Sequence, residues 1–189
     1  MNIKTRPLSQ SELLLLYGAS SPTWKAIFTI AYITALRVSD LINLTFDNIV
    51  GDRLEVVEQK TGKSKSIVIG PSLGNAIDYF TKPATRIQFS RMYSGDRENH
   101  LLPFSDPSSY RKAIVRYCAL ARIPLDRIAF HSLRKTAATA IAQNIGIIAA
   151  NQFLGHSKLS TTMDYVEINS IEVSNLLEAK EQFLGRMKS

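Results

Sequence analysis

A histidine and an arginine stand three residues apart in this sequence, as His131 and Arg134. On a helix, this spacing places both side chains on one face, about 5–6 Å apart at Cβ. A planar guanidinium can bind two oxygens of a phosphate, and an imidazole can take up or release a proton near neutral pH. The pair therefore indicates phosphate chemistry, although two side chains on an exposed helix surface would give the same pattern.

Three other segments contain residues of similar chemistry. Tyr165 follows nine residues after His156, which stands in the sequence Leu-Gly-His. Arg37 ends an apolar segment in the sequence ALRVSDL, and Lys60 lies beside a predicted hairpin turn. Taken singly, each has an ordinary interpretation: a core tyrosine, a cation at a helix C-terminus and a solvated lysine.

The positive charge of the chain is concentrated in one stretch. The formal net charge is +7, and residues 81–135 hold eleven lysines and arginines against four acidic residues. Such an excess favours a polyanionic partner, most simply nucleic acid. A solvated basic face that binds nothing is the alternative. The eleven residues are Lys82, Arg86, Arg91, Arg97, Arg111, Lys112, Arg116, Arg122, Arg127, Arg134 and Lys135.

Helix signals dominate the rest of the pattern. A capping box at residues 9–12 begins one helix, and Ser21-Pro22 supplies an N-cap and N1 proline for an apolar helix over 24–36. Two β-rich runs, 54–58 and 66–69, flank a Thr-Gly-Lys turn and predict a hairpin. Further helices are predicted over residues 39–44, 71–80, 130–144, 147–154 and 171–184, and Asp106-Pro107 starts another that runs through 110–122. A loop is predicted over 94–103, and the segment 160–166 is ambiguous. The predicted fold class is α+β, mostly α-helical, with a small antiparallel hairpin or sheet near residues 53–69.

The composition is ordinary for a globular chain. Of 189 residues, 45% are hydrophobic and 21% are charged, which excludes a mostly disordered chain. One cysteine, Cys118, cannot form an internal disulfide. The N-terminus has no apolar signal core, and the charge-free run over 136–157 is too polar to span a membrane. We therefore expect a soluble cytoplasmic protein with no membrane partner.

In their order along the chain, these segments resemble the catalytic domain of the tyrosine recombinases, the phage integrase family. The similarity rests on ALRVSDL, the hairpin lysine, the boxes HSLR and LGH and the motif STTMDY, and it runs from about residue 8 to residue 169. Asp40 follows the family habit of an acid after the first arginine, and it is expected to support Arg37. Two other lysines, Lys63 and Lys65, lie near the hairpin position. The catalytic residues that the resemblance implies are Arg37, Lys60, His131, Arg134, His156 and the nucleophile Tyr165.

The resemblance implies DNA strand exchange. Tyr165 would attack a phosphodiester, and the two arginines would neutralise the charge that develops on its non-bridging oxygens. His131 is the candidate acceptor of the phenol proton, and Lys60 would protonate the departing 5′-oxygen. Because a 3′-phosphotyrosyl link keeps the bond energy, no ATP is expected. The three histidines are spread along the chain, and no HExxH motif, paired cysteines or acidic triad is present, so no metal ion or other cofactor is expected. The implied partners are double-stranded DNA, a homotetramer on DNA that forms from monomers or weak oligomers, and an accessory DNA-bending protein.

The same resemblance implies one catalytic domain over residues 1–189, without the N-terminal core-binding domain of full-length members. A natural short protein and a fragment are both compatible with this expectation. Residues 170–189 are expected either to be exchanged between protomers or to fold back on their own core. Three other functions stay open: a DNA-binding regulator of the same fold, a type IB topoisomerase and, on charge alone, an RNA-binding domain. Action at the nucleoid is expected.

Overall fold

The computed structural model describes residues 5–92 and 98–163. Within these ranges the chain is mostly α-helical and contains one three-stranded antiparallel sheet, which confirms the predicted fold class. Tyr165 and the predicted helix over 171–184 lie outside the described residues. No helix in the described ranges is both long and apolar enough to cross a membrane.

Two N-terminal helices begin at the predicted capping signals. The first, α1 (Gln10–Ala19), starts after Ser9, which exchanges side-chain and backbone hydrogen bonds with Glu12. The second, α2 (Pro22–Thr34), starts at its N1 proline. It ends two residues earlier than predicted because Ala35 adopts a left-handed backbone conformation, with φ of 48°. This turn redirects the chain into α3 (Val38–Ile42), and Arg37 is the N-cap of that helix.

The sheet follows α3 and a short 3₁₀ helix (Phe46–Asn48). Its strands are β1 (Ile49–Val50), β2 (Arg53–Val57) and β3 (Ser64–Val68), in that spatial order. Strands β2 and β3 form the predicted hairpin, with Leu54 opposite Ile67 and Val57 opposite Ser64. The pattern does not predict β1, because two residues are too few to show an alternation.

Six helices complete the described fold: α4 (Pro71–Thr81), α5 (Pro83–Met92), α6 (Pro107–Leu120), α7 (His131–Asn144), α8 (Ile147–Leu154) and α9 (Leu159–Met163). Helices α4, α6, α7 and α8 confirm the predicted ones to within a few residues at each end. Gly146, with φ of 123°, separates α7 from α8, as predicted. Helix α5 is not predicted because its polar sequence shows no apolar stripe, and α9 lies within the ambiguous segment.

Helix α2 is the centre of the core. It packs against α4 and α7, and its Phe28 ring contacts those of Trp24, Tyr117 and Phe130. Helix α1 packs against α6, and α8 lies between α7 and α9. This packing brings the C-terminal end of α2, the first turn of α7 and the β2–β3 turn together. The predicted arginines and histidines meet there.

Candidate active site

Arg37 lies immediately after the left-handed turn that ends α2, and its side chain is 19% exposed. Its Nη1 donates a hydrogen bond to Oε2 of Glu58 at 2.7 Å and lies 4.0 Å from Oδ2 of Asp40. Asp40 also accepts a hydrogen bond from the backbone N of Gln59 at 3.0 Å. Asp40 therefore lies beside Arg37 and ties α3 to the hairpin turn.

Arg134 is the largest fully buried side chain described, with 1% exposure. Its Nη1 donates to the carbonyl of Ala35, and its Nη2 donates to the carbonyl of Leu154 at 3.0 Å. Its Nη1 is also 3.6 Å from Oε1 of Glu58. One guanidinium thus joins the end of α2, the end of α8 and the hairpin, so Arg134 serves the core as well as the site.

Glu58 is the acidic residue that meets both arginines, and it is 2% exposed. Burial by itself raises the pKa of its carboxyl. Hydrogen bonds from Arg37 and Thr61, with the charges of Arg37 and Arg134, outweigh burial and hold the pKa below its usual value. The carboxylate is therefore ionised at neutral pH, with one oxygen turned towards each arginine.

The alternation of buried residues along β2 indicates that Glu58 faces inward, although Glu58 belongs to none of the family motifs. Leu54 and Val56 are the buried residues of β2. With a side-chain period of two, the next inward-facing position is residue 58. A carboxylate at an inward position needs a cationic partner when it is buried, and Arg37 and Arg134 are such partners.

His156 follows the left-handed glycine that ends α8 and belongs to a three-residue hydrogen-bond chain. Its Nδ1 is 2.9 Å from Oγ1 of Thr162, and that hydroxyl donates to Oδ1 of Asn151 at 2.6 Å. Asn151 Nδ2 donates to the carbonyl of His156 at 3.2 Å, which fixes the orientation of the amide. Because the hydroxyl proton of Thr162 is used, Nδ1 of His156 is the donor, and Nε2 carries the lone pair.

His131, the first residue of α7, is half-buried near the same arginines. Burial, followed by the charges of Arg134, Lys135 and Arg37, lowers the pKa of His131 to about 4. Burial and then the charges of Arg134 and Arg37 also lower the pKa of His156 to about 4. Both rings are therefore neutral at pH 7.

The hairpin brings Lys65 into the site region. Its Nζ donates to the carbonyl of Thr34 at 2.5 Å and lies 4.0 Å from the centre of the Phe153 ring. Burial, followed by the charge of Arg134, lowers the pKa of Lys65 to about 7. Lys65 is therefore an amine that exchanges its proton near neutral pH, at the end of the helix that leads to Arg37.

The other two hairpin lysines are exposed. Lys63 Nζ donates to the carbonyl of Gly155 at 2.9 Å and to Oγ of Ser157 at 3.1 Å, so it links the turn to the loop after α8. Lys60 lies at the turn itself. Its proposed role as the catalytic lysine stays a prediction.

Of the six predicted catalytic residues, the structure brings four together, whereas Lys60 is at the exposed turn and Tyr165 lies outside the described residues. Motif reasoning missed the buried partners that fix these groups. Thr162 stands within STTMDY, yet the motif alone gives no sign that its hydroxyl holds a histidine. The four residues that meet are Arg37, His131, Arg134 and His156.

Part of the basic stretch is structural. Besides Arg134, Lys135 is buried and donates to the carbonyl of Thr5 at 2.6 Å. Arg86 donates to the carbonyl of His100 at 3.0 Å. The surface charge is therefore smaller than the sequence count indicates. Among the described side chains, the exposed basic ones of this stretch are Lys82, Arg111, Lys112, Arg116, Arg122 and Arg127.

The described residues contain no group of three or more histidine, cysteine, aspartate or glutamate side chains placed to hold a metal ion. The arrangement they do contain is two fixed guanidinium groups with two neutral imidazoles. Guanidinium groups of this kind suit the oxygens of a tetrahedral oxyanion, and a neutral imidazole can accept a hydrogen bond.

Comparisons with known proteins show the family to which the chain belongs. The phage integrase family model matches residues 7–172. Tyrosine recombinase XerC of Corynebacterium efficiens is 30% identical over 161 residues, which cover 83% of this chain and 49% of that protein. The chain thus spans about half the length of the XerC relatives it matches.

Two solved structures share the fold. The crystal structure of XerA recombinase superposes with a TM-score of 0.73 at 23% identity, over 95% of this chain and 65% of that one. The lambda integrase tetramer bound to a Holliday junction gives 0.67 at 22% identity, over 88% of this chain and 49% of that one. Since the family model covers most of the sequence, the chain belongs to the phage integrase family, the tyrosine recombinases.

Proposed function

We propose that this chain is a site-specific DNA recombinase that cuts and rejoins DNA strands through a 3′-phosphotyrosyl link to Tyr165. The observation that carries the proposal is the convergence of Arg37 and Arg134 on one anionic group, with two neutral histidines close by. Fixed forked donors suit a phosphodiester on which charge develops during substitution. Family membership supports the same chemistry.

In the proposed reaction, the phenol oxygen of Tyr165 attacks the phosphorus, and the bond to the 5′-oxygen breaks. A free phenol titrates near pH 10, so its proton needs an acceptor at pH 7. The candidate acceptor is His131, whose pKa of about 4 in the DNA-free protein would be raised by the negative charge of the bound phosphate. Lys60 gives a proton to the 5′-oxygen, which leaves as a hydroxyl. Attack by the 5′-hydroxyl of another strand reverses these steps and releases the tyrosine.

The proposed substrate is double-stranded DNA in the cytoplasm, and the proposed active assembly is four copies on two DNA duplexes. The lambda integrase structure that shares this fold is a tetramer on a Holliday junction. An accessory DNA-bending protein completes the proposal. The exposed basic residues of α6 are the candidate contacts to the DNA backbone, and they should make binding strongly dependent on salt.

Covalent trapping tests the nucleophile. The protein is mixed in EDTA with nicked duplexes that carry DNA from around its own gene, and the products are separated in detergent. We expect an adduct with the wild type and with Tyr79→Phe, a control in which a tyrosine hydroxyl bonded to Thr23 is lost. Tyr165→Phe should bind the duplex and give no adduct.

The remaining outcomes of this experiment separate the alternatives. Binding without any adduct from the wild type would indicate a regulator of the same fold. Adducts on every duplex, together with relaxation of plasmids that lack a target site, would indicate a topoisomerase. An adduct that survives in Tyr165→Phe would reject the assignment of the nucleophile.

A second experiment tests the general acid. A duplex in which sulphur replaces the bridging 5′-oxygen has a leaving group that needs no proton. If Lys60 supplies the proton, Lys60→Met should cleave normal DNA at least 100-fold more slowly than the wild type. On the sulphur substrate its cleavage rate should return close to that of the wild type. Rescue of Lys65→Met instead would transfer the role to Lys65.

A further inference from the structure

Glu58 occupies the space between the two arginines that the proposed function assigns to a phosphate. Its Oε2 accepts a hydrogen bond from Arg37 at 2.7 Å, and its Oε1 is 3.6 Å from Nη1 of Arg134. Both Glu58 and Arg134 are almost fully buried, at 2% and 1% exposure. A DNA phosphate therefore cannot reach Arg134 while the side chains keep this arrangement.

A carboxylate oxygen and a non-bridging phosphate oxygen make the same demand on a guanidinium, because both are anionic acceptors. Two anions that share one site repel each other strongly. Asp40 already contributes a further negative charge 4.0 Å from Arg37. A phosphate that binds Arg37 and Arg134 must therefore displace the Glu58 carboxylate rather than join it.

The displaced group is also part of the turn that carries Lys60. Thr61 Oγ1 donates to Oε2 of Glu58 at 2.8 Å, the same oxygen that Arg37 holds. The backbone N atoms of Thr61 and Gly62 donate to the carbonyl of Glu58, and Glu58 N donates to the carbonyl of Lys63 at 2.9 Å. Movement of the carboxylate would leave Thr61 without this acceptor and loosen the turn between β2 and β3.

We propose that Glu58 is a positioning residue that stands in for the phosphate in the DNA-free protein. It holds Arg37 and Arg134 in place and keeps the hairpin turn closed. The arriving phosphate takes over both arginines, Glu58 swings out, and the turn with Lys60 becomes free to approach the DNA. The statement that a DNA phosphate displaces Glu58 rests on the proposed function. The competition between Glu58 and an oxyanion for the two arginines does not depend on it.

Inorganic phosphate is the probe that tests it, with affinity measured by calorimetry on the full chain. Glu58→Gln keeps the shape and the hydrogen-bond acceptor and removes the charge, so phosphate should bind at least about tenfold more tightly than to the wild type. Glu58→Asp keeps the charge and should stay a weak binder. Glu55→Gln removes a partly exposed carboxylate of the same strand, which contacts Arg53 and Ser66 and neither Arg37 nor Arg134, and it should bind phosphate as the wild type does.

Phosphate affinity in Glu58→Gln equal to or below that of the wild type would overturn the proposal, as would an equal gain in Glu55→Gln. A merely structural role for Glu58 predicts a lower melting temperature without any gain in affinity. If Glu58→Gln does not fold, the wild type is titrated with phosphate while the guanidinium NMR signals of Arg37 and Arg134 are followed. Both signals should move with one dissociation constant; movement confined to surface arginines would reject the idea.

The same titration separates this proposal from the proposed function. If Glu58→Gln binds phosphate more tightly and the wild type forms no DNA adduct, the role of Glu58 in place of the phosphate is supported and the proposed recombinase activity is rejected. Adduct formation without any gain in phosphate affinity would support recombination and reject the stand-in.

Discussion

Replacement of Thr162 by valine tests the hydrogen-bond chain that orients His156. Thr162 is fully buried, and valine fills nearly the same volume without a hydroxyl. The substitution removes hydrogen bonds of 2.9 Å to His156 and 2.6 Å to Asn151 and leaves two partly buried polar atoms without these partners. Each such loss costs roughly 1 kcal/mol or more, so the free energy of unfolding should fall by about 2 kcal/mol.

Urea denaturation followed by circular dichroism measures this loss. With a slope of about 2 kcal/mol per molar urea for a chain of this size, the midpoint should fall by about 1 M. The rate of adduct formation at pH 7.5 should fall about tenfold or more, because the His156 ring is no longer held with Nε2 unprotonated. Thr162→Ser, which restores the hydroxyl, should recover most of the rate.

Thr161→Val, at the exposed neighbouring position on α9, is the matched control and should leave the midpoint and the rate unchanged. A wild-type midpoint in Thr162→Val would refute the hydrogen-bond chain as an element of stability. A normal rate in a measurably destabilised Thr162→Val would refute its role in orienting His156.

Three further predictions concern the buried charges. NMR should show that the His131 and His156 rings are neutral at pH 5.5, and charged rings at that pH would contradict the prediction. In the unfolded chain both rings take up a proton below about pH 6.5. The free energy of unfolding should therefore fall by about 1–3 kcal/mol per ring between pH 6.5 and 4. The Lys65 amine should titrate near pH 7 by NMR. Because the amine stays protonated to a higher pH in the unfolded chain than in the folded protein, the free energy of unfolding should rise between pH 7 and 10.5. Lys65→Met should abolish that rise. Arg134→Ala should lower the melting temperature by about 10 °C, because it removes one of the two cations that face the buried Glu58 carboxylate and leaves the carbonyls of Ala35 and Leu154 without their donor. Breaking a buried ion pair costs about 3–5 kcal/mol, and a near-normal melting curve would refute the core role of Arg134.

Local signals in the sequence predicted most of the elements. Ser9 and Pro22 mark helix starts because capping and proline geometry act within one turn, and the hairpin follows from two β-rich runs around a glycine turn. The end of α2 was predicted two residues late. The left-handed backbone of Ala35 is stabilised in part by a hydrogen bond from Arg134, far along the chain, and no local pattern contains that contact.

The candidate site divides in the same way. Family motifs name Arg37, Arg134 and His156 because their chemistry demands these residue types. The partners that orient them depend on which side chains meet in three dimensions. In the sequence Glu58 resembles any other acidic residue of the hairpin, and only the fold shows that it faces inward between the arginines. The sequence does not distinguish Lys65 from the other two lysines of the hairpin, whereas in the fold it alone of the three packs against the ring of Phe153.

The double duty of Arg134 bears on how this fold can change during evolution. A descendant that abandons strand cleavage and keeps only DNA binding still needs the guanidinium that joins α2, α8 and the hairpin. Selection for folding alone would then preserve Arg134, so its presence in a related sequence is weak grounds for calling that protein an enzyme. Lys60, exposed at the turn, is under no such constraint from folding. Its loss would be the earlier mark of a lineage that has given up cleavage.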